Sequence, residues 1–226
     1  MNTNIDDLQN SIEYSFKNEK LLVTALTHKS YVVNETEGEV NNERMEYLGD
    51  AVLELVTSDF LFKNYKEMSE GEMTKLRASL VCEPALAIDA REINLQDFIF
   101  LGKGEENTGG RSRDSIVSDA FEALIGAIYL DGGMDEATKF ICSFVLNDIE
   151  HKQKFYDSKT TLQEMVDATN LGVLKYEIVN ESGPDHNKTF DAVVKLNDDV
   201  VGSGTGQTKK HAEQNAAIDA LNKINK

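Results

Sequence analysis

The stretch NERMEYLGDAVL, residues 42–53, decides how this chain of 226 residues folds, and its pattern extends over residues 41–62. At about 100° per residue, this pattern predicts a helix with two different faces. One face is expected to be apolar and holds Met45, Leu48, Val52, Leu55 and Val56. The opposite face is acidic and holds Glu43, Glu46, Asp50 and Glu54.

The acidic face has two explanations. A charged stripe opposite an apolar one is the ordinary appearance of a surface helix. However, like charges one turn apart repel each other, and this face carries no lysine or arginine to offset them. We therefore expect a cation there.

A second stretch, SIVSDAFEALIGAIYL at residues 115–130, is apolar nearly all round and predicts a buried helix. Its only charges, Asp119 and Glu122, are three residues apart and share a face. Burying two carboxylates without partners costs several kcal/mol. A hard divalent cation such as Mg²⁺, shared with the face that carries Glu46, would relieve both problems.

The two motifs, in this order, resemble those of the ribonuclease III family, endonucleases that cut double-stranded RNA. Residues 42–53 are similar to the family signature, and DAFEALIGAIYLD at residues 119–131 matches its second acidic motif. ALTHKSY at residues 25–31 looks like the early motif. The resemblance runs from about Ile12 to the C-terminus and implies a multidomain protein, with an all-α nuclease domain over residues 1–150.

The resemblance also assigns roles at the site. It implies that Glu46, Asp119 and Glu122 ligate Mg²⁺, with Mn²⁺ as a substitute, and that Asp50 and Glu122 are catalytic. Glu43 completes the acidic rim in a supporting role, and Glu54 is expected to be solvated. The implied reaction hydrolyses RNA to 5′-phosphate and 3′-hydroxyl ends, with ribosomal RNA precursors and structured transcripts as substrates.

Tyr47 lies about 40° from Glu43 on the predicted helix, and so it points away from the apolar stripe. An aromatic side chain there is either an incidental surface residue or an interface anchor. In the ribonuclease III family an aromatic at this position enters a cavity of the partner subunit. The resemblance therefore implies a homodimer with Tyr47 at its interface.

The periodicity changes after residue 157. Helix, three strands and helix follow over residues 159–170, 174–179, 189–196, 200–204 and 208–224, with a hairpin turn at Asp198–Asp199. This α-β-β-β-α order resembles a double-stranded RNA-binding domain, an α+β fold over residues 158–226 joined by a polar linker at 151–157. The residues that match the RNA contacts of that domain are Thr160, Gln163, Glu164, His186, Thr208, Lys209 and Lys210.

The charge balance conflicts with an RNA substrate, because contacts to phosphate usually need a basic face. The net charge is −17. Residues 1–157 hold 15 Lys and Arg against 30 Asp and Glu, a balance of −15, whereas residues 158–226 hold 8 against 10, a balance of −2. We expect RNA binding that depends on metal and is sensitive to salt.

The remaining features are weaker. The longest apolar run, residues 123–130, is too short to span a bilayer, and no signal-peptide pattern precedes it, so a cytoplasmic protein with no membrane contact is expected. Cys82 and Cys142 are predicted to be reduced and buried. His28 is expected to form structural hydrogen bonds. Lys75, Arg77 and the glycine-rich loop at residues 101–113 are either RNA contacts or ordinary surface.

Two rival functions belong to other classes. A non-catalytic double-stranded RNA-binding protein could retain both folds, but a pure binder would gain affinity from lysines where this chain has carboxylates. A phosphohydrolase of small nucleotides is disfavoured by the C-terminal RNA-binding pattern.

Overall fold

A computed structural model describes residues 4–31, 41–183, 188–206 and 208–224, apart from the side chains of residues 151, 154, 156 and 157. The chain divides into two units, Met1–Asn147 and Asp148–Lys226. Helices dominate the described part of the first unit: α1 (Ile5–Ser11), α2 (Glu19–Ala25), α3 (Glu43–Asn64), α4 (Glu70–Val81), α5 (Glu83–Glu92), α6 (Lys103–Asn107), α7 (Asp114–Gly132) and α8 (Met134–Phe144).

Helix α7 forms the centre of the first unit. Its apolar side chains are buried from Ile116 to Ile128, and it packs against α2, α3, α5 and α8. Phe121, at its middle, is fully buried and stacks against Phe140 of α8 with ring centroids 5.4 Å apart. This confirms the prediction of a buried helix from the sequence of residues 115–130.

Helix α3 is amphipathic, but its buried face is rotated from the predicted one. Val52 and Val56 are buried as expected, together with Gly49 and Leu53. Leu55 is 59% exposed, so its placement in the apolar stripe was wrong. The side chain of Asn41 caps the helix by accepting a hydrogen bond from the backbone amide of Glu43 at 3.0 Å.

The second unit contains α9 (Ile149–Thr169), β1 (Leu174–Ser182), β2 (Thr189–Leu196), β3 (Asp199–Gly206) and α10 (Lys209–Ile224). The strands form an antiparallel sheet in the order β1-β2-β3, with Leu174 opposite Leu196 and Leu196 opposite Asp199. Small side chains of α10 pack against β2 and Leu162 of α9. The predicted α-β-β-β-α order is confirmed.

Three local predictions differ from the structure. Residues 151–157, the predicted linker, lie within the continuous helix α9. The hairpin turn falls at Asn197 and Asp198, one residue earlier than expected, because Asn197 adopts the left-handed conformation at φ 57° that a tight hairpin needs. The glycine-rich loop contains α6 and a short 3₁₀ turn at Gly110–Ser112.

No helix within the described ranges is long and apolar enough to cross a membrane. Cys82 and Cys142 are both free thiols, and each is half-buried rather than fully buried. Burial raises the pKa of the Cys142 thiol.

Candidate active site

Three carboxylates meet where α3 and α7 pack together. Glu46 comes from α3, and Asp119 and Glu122 come from successive turns of α7. Each offers one oxygen, and these oxygens all lie within 4.8 Å of one another. All three side chains are half-buried. Carboxylates gathered in this way provide the oxygen ligands that a hard divalent cation takes.

Burial and mutual repulsion raise the pKa values of the three carboxylates. Burial, together with the negative charges of Asp50, Glu46 and Asp119, raises the pKa of Glu122 to about 8. Burial also raises the pKa of Glu46 and of Asp119, and neighbouring carboxylates add to both shifts. Asp50 follows Glu46 by one turn of α3 and is exposed. The three-carboxylate cluster is therefore a place where a bound positive charge would be stabilised.

Basic side chains from other elements neutralise the two ends of the acidic stripe. Lys29 places its Nζ 3.0 Å from Oε1 of Glu43, and this hydrogen bond lowers the pKa of Glu43. Arg77 of α4 places its Nε 2.8 Å from Oε2 of Glu54. Glu54, which was expected to be solvated, is partly exposed, with 38% of its side chain accessible, and it is also paired with an arginine from another helix.

Known proteins are similar to this chain in sequence and in fold. The chain matches the family Ribonuclease-III-like over residues 18–149 and the family Double-stranded RNA binding motif over residues 158–224. It is 49% identical to Ribonuclease 3 of Caldanaerobacter subterraneus subsp. tengcongensis over 220 residues, which are 96% of each chain. The chain belongs to the ribonuclease III family. As a member of this family it is an endoribonuclease, with a double-stranded RNA-binding motif in its second unit.

Two further relatives agree. Ribonuclease 3 of Listeria monocytogenes is 47% identical over 222 residues, which are 97% of each chain. A solved nuclease domain of ribonuclease III from Campylobacter jejuni superposes with a TM-score of 0.60 at 46% identity. The superposition covers 63% of this chain and 96% of that domain, which is described for flexibility in a region involved in dimer formation.

Lys29 lies at the edge of this site, although no sequence pattern indicated it. Its charge acts on Glu46 and Asp119 as well as on Glu43. The segment around it is fixed, because His28 donates its backbone amide to the carbonyl of Phe100 at 3.1 Å. The imidazole of His28 lies 2.7 Å from the Ser30 hydroxyl, and so His28 forms a hydrogen bond within the fold, as expected.

In the RNA-binding motif of this ribonuclease III, the predicted contact residues lie on two helices. Thr160, Gln163 and Glu164 are exposed on α9, although Gln163 also donates a hydrogen bond to Asp167 at 2.8 Å. The Thr208 hydroxyl accepts from the amide of His211 at 3.1 Å and so caps α10. Lys209 and Lys210 are exposed on its first turn. His186 lies outside the described residues.

Tyr47 is 81% exposed, as predicted. It is not isolated, because Leu55 and Phe62 of α3 are 59% and 72% exposed. The three residues fall within an arc of about 80° at the helical period and form an apolar strip along α3. A surface pocket of about 540 Å³ lies at the end of this strip and is lined by Phe62, Lys63, Tyr65, Lys66, Met68 and Met73.

The arginines of the glycine-rich segment are held within the fold. Arg113 places Nη1 2.6 Å from Glu105, and Arg111 places Nε 2.7 Å from Glu106. Arg77 is likewise held, by Glu54 and by the hydroxyl of Ser58 at 2.7 Å. These contacts favour ordinary surface over RNA contact for the three arginines. Lys75 is exposed, and its alternatives stay open.

Proposed function

We propose that this chain is a Mg²⁺-dependent endoribonuclease that hydrolyses double-stranded RNA to 5′-phosphate and 3′-hydroxyl ends. The observation that carries the proposal is the meeting of Glu46, Asp119 and Glu122 within 4.8 Å, on two helices that carry the motifs of the ribonuclease III family. Ribosomal RNA precursors and structured transcripts are the proposed substrates.

The donor set fits Mg²⁺, with Mn²⁺ as a substitute. Three carboxylates supply hard oxygen ligands, and their pKa values are raised by burial and by neighbouring negative charges, whose repulsion a dication would offset. Glu46, Asp119 and Glu122 would hold the ion. When bound, such an ion lowers the pKa of a coordinated water and offsets the charge that develops on a phosphoryl oxygen.

The remaining acidic residues have separate proposed roles. Asp50 is exposed beside the cluster, and its carboxylate is proposed to orient the attacking water and accept its proton. Glu122 is proposed to act in catalysis as well as in metal binding. Both oxygens of Glu43 are engaged, one by Lys29 at 3.0 Å and the other by Asn41 at 3.2 Å. These contacts support a role for Glu43 as a rim residue that positions Lys29, and not as a ligand of the metal.

The second unit is proposed to hold the duplex. Thr160, Gln163 and Glu164 would contact 2′-hydroxyl groups in a minor groove, and His186 is proposed to contact the next minor groove. Lys209 and Lys210 stand at the N-terminal end of α10, where two ammonium groups and the helix dipole favour phosphate.

The proposed domains are residues 1–150 and residues 158–226. The family matches over residues 18–149 and 158–224 support these bounds.

The active enzyme is proposed to be a homodimer. A duplex has two strands, and two copies of the carboxylate site related by a two-fold axis suit their cleavage in one event. The exposed strip of Tyr47, Leu55 and Phe62 beside an apolar pocket supports this proposal, because monomers rarely expose such surface without use. A cytoplasmic location is proposed because bacterial transcripts are made there.

Long duplex RNA incubated with the protein, with and without Mg²⁺, tests the proposal directly. Cleavage only with Mg²⁺ is expected, with fragments that end in 5′-phosphate and 3′-hydroxyl groups. Binding without cleavage in both conditions would favour the non-catalytic RNA-binding protein. Hydrolysis of nucleotides without cleavage of the duplex would favour the small-nucleotide phosphohydrolase.

A further inference from the structure

Two glycines lie where α3 contacts α7. A methyl group added at Gly49 of α3 would overlap the carbonyl oxygen of Glu122 and lie 2.6 Å from its carbonyl carbon. A methyl group added at Gly126 of α7 would overlap the carbonyl oxygen of Met45 and lie 3.2 Å from the amide nitrogen of Gly49. The two helices therefore touch backbone to backbone at these glycines, with no side chain between them.

This contact lies beside the carboxylates of the candidate metal site. Gly49 faces the backbone of Glu122 itself, and Gly126 faces the residue that precedes Glu46. The separation of the two helices at the glycines thus fixes the distance between the backbones that carry Glu46 and Glu122. Their ligand oxygens, with that of Asp119, come within 4.8 Å of one another.

We propose that Gly49 and Gly126 are positioning residues that set the width of the carboxylate site and so its preference for Mg²⁺ over Ca²⁺. The inference rests on the proposed metal site. Mg²⁺ needs near-ideal octahedral geometry at about 2.0–2.1 Å, whereas Ca²⁺ accepts ligands at about 2.3–2.6 Å in flexible geometry. A site held narrow by direct backbone contact therefore favours the smaller ion.

The size of the effect follows from the contact distances. Carbon atoms in optimal contact lie about 3.5–4.0 Å apart, so a methyl group at either glycine would push the helices apart by roughly 1 Å. That displacement exceeds the difference between Mg²⁺ and Ca²⁺ bond lengths. It should weaken Mg²⁺ binding strongly and Ca²⁺ binding little, whereas a glycine needed for packing alone would not alter the preference between ions.

Calorimetric titration of the full-length protein with Mg²⁺ and with Ca²⁺, without RNA, tests the inference. For Gly126→Ala we expect Mg²⁺ affinity to fall about tenfold or more and Ca²⁺ affinity to fall less than about threefold. Equal losses for both ions, or no loss, would overturn the inference. If Glu122→Gln bound Mg²⁺ as tightly as the wild type, the proposed metal site itself would be wrong.

Two control variants separate spacing from general effects of substitution. Gly71→Ala in α4 adds a methyl group where no atom lies within 4 Å, and it should leave both affinities unchanged. Ile128→Val removes a methyl group from the buried part of α7 and adds no atom at the glycine contact. It should lower stability without altering the ratio of the two affinities, and a changed ratio would count against the inference.

A longer ligand provides a second test. In the double variant Gly126→Ala with Asp119→Glu, the extra methylene should span the widened gap and restore part of the Mg²⁺ affinity. In the wild-type background Asp119→Glu should instead weaken Mg²⁺ binding about fivefold, because fixed helices leave it no room. The single Asp119→Glu variant also decides the matter if Gly126→Ala fails to fold. Unchanged Mg²⁺ affinity in that variant would overturn the inference.

Discussion

The Nζ of Lys29 lies 3.0 Å from Oε1 of Glu43, at the edge of the carboxylate cluster. The charge of Lys29 acts on Glu46 and Asp119, two of the three proposed metal ligands. Lys29 is well exposed, with 63% of its side chain accessible. It can therefore influence both the cation and the RNA phosphate that the site would bind.

Replacing Lys29 by Met should affect metal and RNA in opposite directions. The site becomes more negative, so the Mg²⁺ concentration for half-maximal cleavage should fall about threefold, while KM for duplex RNA should rise by a similar factor. Lys139→Met is the matched control, because Lys139 forms a comparable exposed pair with Glu136 at 2.6 Å. A Mg²⁺ midpoint that does not move in Lys29→Met would exclude this role.

Glu122→Gln should separate binding from cleavage. The change removes one ligand charge and preserves the volume of the side chain, so duplex binding should stay within about twofold while cleavage falls by at least about a hundredfold. Ca²⁺ should have the same effect on the wild-type protein, by supporting binding but not cleavage. Gel-shift and cleavage assays on one duplex measure both, and wild-type cleavage by the Gln variant would refute the assignment.

The raised pKa of Glu122 predicts how stability depends on pH without divalent ions. The folded protein keeps a proton on Glu122 up to about pH 8, whereas the unfolded chain releases it near the ordinary value of 4.5. The folded state therefore binds more protons between these values, and the free energy of unfolding should fall as pH rises through that range. Allowing for solvent screening, the loss should be roughly 2 kcal/mol.

Urea unfolding in EDTA at pH 5, 6.5 and 8 measures this loss. The Glu122→Gln variant cannot ionise at position 122, so its free energy of unfolding should fall less as pH rises. Glu67 is exposed in a turn, and Glu67→Gln should leave the fall unchanged. Mg²⁺ should restore stability to the wild type at pH 8 by binding the folded state. The same decline in the Gln variant as in the wild type would contradict the prediction.

Each half of the site could be predicted from the sequence because its carboxylates repeat at helical spacing. Glu46 and Asp50 share one helix, Asp119 and Glu122 another, and a buried helix with two charges already requires a partner. The pairs of Glu43 with Lys29 and Glu54 with Arg77 could not be predicted this way. They depend on tertiary packing, because the paired residues lie 14 and 23 positions apart in the chain.

The misplacement of Leu55 has a different cause. Periodicity gives the direction of an apolar stripe but cannot distinguish a stripe that faces the core from one that faces solvent or a partner. Here α3 has both, because Gly49 and Leu53 are buried while Leu55 and Phe62 are exposed. The spacing of Tyr47, Leu55 and Phe62 could have indicated the second stripe. Residues 151–157 form helix instead of an extended linker, because a polar composition suits a helix as well as a linker.

Lys209 and Lys210 should account for much of the salt dependence of RNA binding. Each phosphate contact contributes close to one unit of slope to log K against log salt concentration, so Lys209→Ala with Lys210→Ala should reduce the slope by about 1–2 and weaken binding. Filter binding of one duplex at several salt concentrations measures the slope. Lys175→Ala, which removes an exposed lysine from β1, serves as the control. An unchanged slope in the double variant would remove both lysines from the RNA contacts.

Tyr47 should anchor the proposed homodimer through the exposed strip that it forms with Leu55 and Phe62. Tyr47→Asp places a charge in a surface that would be dehydrated on association, so the dimer dissociation constant should rise at least about a hundredfold, and double-strand cleavage should fall with it. Tyr47→Phe keeps the ring and should change the dimer dissociation constant only slightly.

Val23→Asp, on an exposed apolar residue of α2, controls for the effect of a new surface charge. Sedimentation equilibrium at micromolar concentration gives the dissociation constants, and circular dichroism checks the fold. A folded Tyr47→Asp protein that dimerises as tightly as the wild type would exclude the anchor role.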